Sequence, residues 1–294
     1  MTDTAEPGAP ERLLDLICLL AQVPSFSSFE ERIHPHVLAA AAQIRGVEAE
    51  VVDVRNLLLR VPGDEARRPV ALTAHLDKVN HFDRHHNDPL VVERTEHKLR
   101  GLLDDAVGVG ICLYLGLVAA SQSFPPLLIL LSELEEGTGL REHPWLLRGA
   151  GHDLKHGAGA RRLSRRLVDT GDVPSAVITV DLSPRLEGAP GVCLYTDHWE
   201  HTRVEPSDAL RERTEAVAAA LLALDPELVR TNGTNDYMTY GRLLNSLTDE
   251  ADRPVVSVAL EPSIGPYHVP DEEVFTADLG RVVDILVRFL NTGG

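Results

Sequence analysis

Short, wholly apolar runs alternate along this chain with longer stretches in which apolar residues recur every three or four positions. After Pro10, the residues Leu13, Leu14, Leu16, Ile17 and Leu20 share a broad face and predict a helix, with proline tolerated in its first turn. Val23-Pro24-Ser25-Phe26-Ser27 breaks that pattern. Ser28 and Glu31 predict a capping box for a following helix. Pro35 predicts a kink in that helix or a later start. Apolar runs at 49–54, 57–61, 69–75, 127–132 and 176–182 predict strands, with a charged turn from Gly63 to Arg68. Residues 106–121 are apolar all round, as in a buried helix. Residues 207–223 and 277–291 predict amphipathic helices, the second with Leu279, Val282, Val283, Leu286 and Leu290 on one face and Asp284 and Arg288 paired on the other. The stretch 149–175, rich in Gly, His and Arg, predicts a surface excursion with one helix.

Continuous apolar strands need cover on both faces, and strands alternating with helices supply it. The pattern therefore predicts an α/β fold: a three-layer sandwich with a mostly parallel mixed sheet and helices on both faces. No repeat or low-complexity linker divides residues 1–294, which predicts one domain.

Composition sharpens this picture in three places. Apolar residues make up 44% of the chain but aromatics only 4%, so Leu, Val and Ala must fill the core. Asp and Glu total 45 against 28 Lys and Arg, a net charge of −17. That excess disfavours nucleic acid and anionic membranes as partners and favours multivalent cations. Cys18, Cys112 and Cys193 are scattered in apolar runs, which predicts buried free thiols in a reducing compartment. The acidic stretch Met1 to Pro10 lacks the features of a signal peptide, and no run reaches the roughly 20 apolar residues of a membrane helix. The expected location is the cytoplasm.

Five motifs carry chemistry, each just past a predicted strand or at a helix start, where sites form in α/β sheets. In Ala74-His75-Leu76-Asp77, residues two apart on a strand point the same way, so Asp77 can bond one ring nitrogen of His75 while the other binds metal. In Leu103-Asp104-Asp105-Ala106, a helix cap explains one aspartate but not two. In Glu133-Leu134-Glu135-Glu136-Gly137, adjacent glutamates repel, and a metal can resolve the conflict by taking one and leaving the other as a base. Val180-Asp181-Leu182 ends a strand, and Tyr267-His268-Val269 precedes the last helix. Each signal alone is also compatible with a structural role.

In this order, the motifs His–Asp–Glu–Asp–His, with an extra Glu before the third, resemble the co-catalytic zinc aminopeptidases, carboxypeptidases and deacylases. The resemblance runs from the opening helix and Val-Pro-Ser-Phe-Ser, through Lys98-Leu99-Arg100-Gly101 and the Asp pair, to the last helix. It implies two Zn²⁺ ions, with Co²⁺ or Mn²⁺ equally compatible with these ligand types. Asp104 would bridge them, His75 and Asp181 would complete one site, and Glu136 and His268 the other. Asp77 would orient His75, and Glu135 would be the general base acting on a metal-bridged water. The Asp104–Asp105 peptide is often cis in relatives. The 29 residues from His75 to Asp104 and the 87 from Asp181 to His268 leave no room for the inserted lid or dimerisation domains of larger relatives. The implied branch is the compact, single-domain aminopeptidases.

The implied activity is hydrolysis of a peptide or small amide, most simply an aminopeptidase-type exopeptidase, with no oligomer required. The rivals are a di-zinc amidase or deacylase, a glutaminyl cyclase, and a non-catalytic metal-binding protein of the same fold. Asn235 and Asp236, in the loop Thr231 to Tyr237, and Tyr267 beside His268 are the candidate substrate contacts. His81, His85 and His86, like His152 and His156, lack a nearby carboxylate set and read as a solvated rim.

Overall fold

A computed structural model describes residues 9–79, 88–136, 156–232, 239–248 and 253–292. Its helices are α1 (Ala9–Ala21), α2 (His34–Ala41), α3 (Ala106–Ala119), α4 (Ala158–Thr170), α5 (His198–Thr202), α6 (Asp208–Leu224), α7 (Thr239–Leu247) and α8 (Thr276–Thr292). Its strands are β1 (Glu48–Val52), β2 (Asn56–Val61), β3 (Val70–His75), β4 (Glu93–Arg94), β5 (Lys98–Gly101), β6 (Leu127–Ser132), β7 (Ala176–Val180), β8 (Val192–Tyr195), β9 (Val229–Thr231), β10 (Val256–Pro262) and β11 (Glu272–Phe275).

Eight strands form one mixed sheet in the order β1-β2-β6-β3-β7-β10-β8-β9. Its centre, β6-β3-β7-β10, is parallel throughout. Side chains alternate between two cores, as the two-residue period of a strand requires. Leu57, Leu59, Leu72, Ile129 and Ile178 enter the larger core, whereas Leu58, Ala71, Leu130 and Val177 enter the smaller one. Helices α1, α2, α3, α6 and α8 cover the first face, and α4 and α7 the second. Each leucine fully buried in this way contributes about 1.5–3 kcal/mol. The α/β three-layer sandwich expected from the strand pattern is the observed architecture. A second sheet, β11-β5-β4, sits beside it.

Several local expectations are revised. Ser28 caps no helix: its φ is +72°, and its N–H donates to Glu30 Oε1 at 3.0 Å. Pro35 lies in the first turn of α2, so the helix starts later instead of kinking. The one helix expected within 149–175 is present as α4, but it is no surface excursion, because its Ala160, Leu163 and Leu167 pack into the second core. Cys112 and Cys193 are buried, but Cys18 is only half-buried. The central strand β10 was not anticipated, since Ser257, Glu261 and Pro262 interrupt its apolar run. Helix α3 lies so close under β7 that a Cβ on Gly108 would come within 2.1 Å of the Val180 carbonyl oxygen. Among the described residues, no helix is long and apolar enough to cross a membrane.

Candidate metal centre

Three adjacent parallel strands, β6, β3 and β7, end at the same edge of the sheet, which opens a crevice at their carboxyl ends. His75 is the last residue of β3 and lies opposite Ser132 of β6. Glu135 and Glu136 follow β6 after Leu134, whose φ of +55° turns the chain sharply. Asp181 follows β7 directly. Asp104 comes from the turn between β5 and α3, and His268 from the loop before β11. Because β11 pairs antiparallel with β5, with Glu272 opposite Gly101, those two loops are neighbours.

The five side chains singled out from sequence meet here. His75 Nε2 lies 3.1 Å from Asp104 Oδ1 and 3.7 Å from Asp181 Oδ1. His268 Nε2 lies 3.2 Å from Glu136 Oε2 and 3.7 Å from Asp104 Oδ2. Asp104 thus turns one oxygen to each imidazole. Tetrahedral zinc with ligands at 2.0–2.1 Å sets neighbouring ligand atoms about 3.3 Å apart, so the two shorter spacings, 3.1 Å for His75–Asp104 and 3.2 Å for His268–Glu136, each suit a shared cation. Glu135 Oε2 is 4.0 Å from His75 Nε2, close to the cluster without being one of its converging pairs.

Proton placement argues the same way. His75 Nδ1 lies 2.8 Å from the Asp77 carbonyl oxygen, which can only accept, so Nδ1 carries a proton. The Nε2 lone pair then faces three carboxylates, an arrangement that needs either a second proton or a cation. Burial alone would lower the pKa of His75, yet Asp104, Asp181 and Asp77 hold it well above the ordinary histidine value. Burial and Asp181 push Asp104 up to about 6. Burial, then Asp104 and Glu135, push Glu136 well above the usual carboxylate range. Burial, reinforced by Asp181 and Asp77 against the pull of His75, raises Glu135 to about 8. So many acids cannot all ionise together near pH 7 without positive charge among them. The donor set therefore fits divalent metal of the kind bound by imidazole and carboxylate. Ligand atoms of His75, Asp104 and Glu136, and of His75, Asp105 and Asp181, lie within 4.8 Å of one another.

Asp105 is already committed, however. Its Oδ1 caps α3 by accepting the Gly108 N–H at 2.7 Å, and its Oδ2 accepts the His75 N–H at 3.2 Å. The Asp104–Asp105 peptide is cis.

Asp77 works differently from the sequence-based expectation. Its carboxylate is 3.5 Å from His75 Nδ1, farther than its own carbonyl oxygen. Instead Oδ1 accepts the Glu135 N–H at 3.0 Å, and Oδ2 accepts the Glu136 N–H at 3.1 Å and the Ser27 hydroxyl at 2.8 Å. The chain leaves the strand after His75, so the carbonyl swings to the ring and the carboxylate is free to fix the Glu pair. Asp77 is thus a positioning residue for His75, Glu135 and Glu136.

Glu272 had no role in the sequence reading. Its Oε2 accepts the N–H groups of Leu103 at 2.8 Å and Asp104 at 3.2 Å, while Oε1 accepts the His268 N–H at 3.1 Å. One buried carboxylate therefore ties together the loops carrying Asp104 and His268. Nothing in the run Pro270-Asp271-Glu272-Glu273 marks which acid turns inward. Glu272→Gln, which leaves one accepting oxygen where there were two, is expected to weaken metal binding about 10- to 100-fold. Competition against a chelator measures it, and unchanged affinity would remove Glu272 from the site.

Tyr267, 39% exposed, stacks on His268 with ring centroids 3.7 Å apart. Burial and the surrounding acids Asp104, Asp181, Glu136 and Glu135 raise its pKa, so the phenol stays a proton donor. Nδ1 of the exposed His156 contacts the Glu135 carbonyl oxygen. Asn235 and Asp236 lie outside the described residues, as do His81, His85, His86 and His152. Lys78, also missed, is fully buried and donates to the Leu20 carbonyl and Ser25 hydroxyl at 3.3 and 3.2 Å.

No family model and no curated protein matches this sequence. Solved structures do match. A TET aminopeptidase from a marine sediment archaeon, Thaumarchaeota archaeon SCGC AB-539-E09, is 12% identical, with a TM-score of 0.66 over 96% of each chain. A tripeptidase from Staphylococcus aureus is 11% identical, with a TM-score of 0.63 over 96% of this chain and 98% of that one. The TET1 peptidase of Pyrococcus horikoshii, described as assembling into a tetrahedron or a large octahedral shell, is 13% identical, with a TM-score of 0.61 over 95% of this chain and 99% of that one. Over nearly its whole length, this chain has the fold of the TET aminopeptidases.

Proposed function

We propose that this chain is a single-domain metal-dependent hydrolase that removes the N-terminal residue of a short peptide. One observation carries the reading: His75, Asp104, Glu136, Asp181 and His268 converge at a single crevice with Glu135 beside them. Asp104 would be shared between two cations, His75 and Asp181 would hold one, and Glu136 and His268 the other. When bound, two divalent cations supply Lewis-acid activation of water and of the substrate carbonyl.

The chain's own groups account for the proton traffic. Glu135 accepts a proton from the attacking water as the new C–O bond forms, then delivers it to the amine nitrogen as the C–N bond breaks. Asp77 fixes the backbone of Glu135 and of its neighbour Glu136. Tyr267, beside His268, offers a hydrogen bond to developing negative charge on the carbonyl oxygen.

Reconstitution with Zn²⁺, Co²⁺ or Mn²⁺ is expected to load two metal equivalents per chain, measured by mass spectrometry. The loaded protein is expected to cleave aminoacyl anilides. Activity confined to N-acyl amino acids would replace the aminopeptidase with a deacylase, and one equivalent or fewer would remove the two-metal centre altogether.

A further inference from the structure

The segment Glu133 to Glu136 runs past the end of β6, yet each of its four N–H groups meets a buried side-chain oxygen. Asn56 Oδ1 accepts from Glu133 at 2.9 Å, and Glu30 Oε1 from Leu134 at 3.2 Å. The two Asp77 oxygens take the N–H groups of Glu135 and Glu136. Asp77 thus fixes the glutamate pair, but Leu134 decides the direction the pair takes. Its φ of +55° lies in the left-handed region, which a leucine rarely adopts unless its surroundings impose it.

Glu30 supplies that constraint. It is fully buried in the short 3-10 turn between α1 and α2. Its Oε1 accepts from two residues at positive φ: Leu134, and Ser28 at 3.0 Å. Its Oε2 lies 3.6 Å from Arg55 Nε. Arg55, on the turn between β1 and β2, also reaches Glu133, with Nη1 3.5 Å from Oε2. The other Glu133 oxygen accepts from Asn56 Nδ2 at 2.6 Å and pairs with Arg162 of α4. Three residues before Glu30, the Ser27 hydroxyl donates to Asp77. The loop 27–30 therefore acts on the glutamate pair twice, through Asp77 and through Leu134. Neither Glu30 nor Arg55 enters the contacts among the five proposed metal ligands.

We propose that Glu30 is a positioning residue for Glu135: through the Leu134 N–H it sets the left-handed turn that aims the Glu135 carboxylate at the crevice, and Arg55 holds Glu30 against Glu133. The proposal rests on the hydrolase reading above. Glu30→Leu removes both oxygens at similar volume. Its kcat on an aminoacyl anilide is expected to fall about 10- to 100-fold, with KM within about threefold and two metal equivalents retained. Glu30→Gln keeps an oxygen for the Leu134 N–H and is expected to stay within about threefold of wild type. A residue that only supported the fold would lower the melting temperature and leave kcat of the folded protein unchanged. The sharpest readout is the double variant. In a Glu135→Gln background, Glu30→Leu is expected to cause little further loss, because it acts through the group already removed.

Losses that multiply in the double variant overturn the proposal, as do wild-type kcat in Glu30→Leu, equal losses in the Leu and Gln variants, or loss of metal. If Glu30→Leu does not fold, Arg55→Met takes its place, with an expected loss of about three- to tenfold and the same lack of additivity. If the metal-loaded wild type cleaves no anilide or peptide, the hydrolase reading falls, and crystal structures of wild type and variants read the positioning directly. A Glu135 carboxylate displaced by about 1 Å or more in Glu30→Leu, but not in Glu30→Gln, then supports it. An unmoved Glu135 overturns it.

Discussion

Glu135→Gln is expected to slow turnover about 100- to 10,000-fold while leaving two metal equivalents bound. Glu135 stands 4.0 Å from His75 Nε2, and its backbone is fixed by Asp77. The amide of glutamine fills the same space but can neither accept the proton from water nor return it to the amine. None of the four imidazole–carboxylate contacts among the five proposed ligands uses Glu135, so the metal set is expected to survive the substitution. Metal content by mass spectrometry and kcat on the same sample test the separation. Loss of metal along with activity would make Glu135 a ligand, and full activity would refute its role in proton transfer.

Removing metal with a chelator is expected to abolish turnover and lower the melting temperature, with a larger drop at pH 8 than at pH 6. The asymmetry follows from the carboxyl groups that burial and like charge raise: Asp104 to about 6, and Glu135, Glu30 and Glu272 to about 8. A carboxyl raised in the folded state binds more protons there than in the unfolded chain. Its contribution to stability is complete below the unfolded value, near 4, and is lost as pH climbs through the folded value. His75, also raised, acts with the same sign. Asp77, held below its ordinary value by His75 against the effect of burial, acts with the opposite sign, but in a window below pH 4.

Each excess proton in the folded state tilts stability by about 1.4 kcal/mol per pH unit, so the metal-free melting temperature should fall by a few degrees per net proton. Bound cations supply the missing positive charge, and metal binding itself strengthens as ligands deprotonate. Melting curves at pH 6, 7 and 8, with and without metal, measure the difference. A metal effect that is equal at all three values would mean that the acids are not charge-balanced by the ions.

Much of the fold and the outline of the site could be read from residue order. Runs such as Leu127 to Ser132 and Ala176 to Val180 are apolar without interruption, and only a sheet covered on both faces accommodates them. The strands β4, β5, β8, β9 and β11 have two to four residues each, too short for a period to show. Strand β10 sits in the middle of the sheet but carries Ser257 and Glu261, polar residues whose burial is decided by their neighbours.

Sequence by itself picked out the five side chains that converge and the acid next to them, through the order of their motifs and the resemblance that order carries. Tertiary structure decided what those groups do for one another. Only in the folded chain does the carbonyl of Asp77 meet the His75 ring while its carboxylate grips the Glu135 and Glu136 backbone. Only there does Glu272 join the loops of Leu103 and His268, which lie far apart in the sequence. The reason is physical: a ligand is marked by its own chemistry, whereas a positioning group is defined by which backbone N–H or charge lies within about 3 Å of it, and residue order alone does not carry that distance.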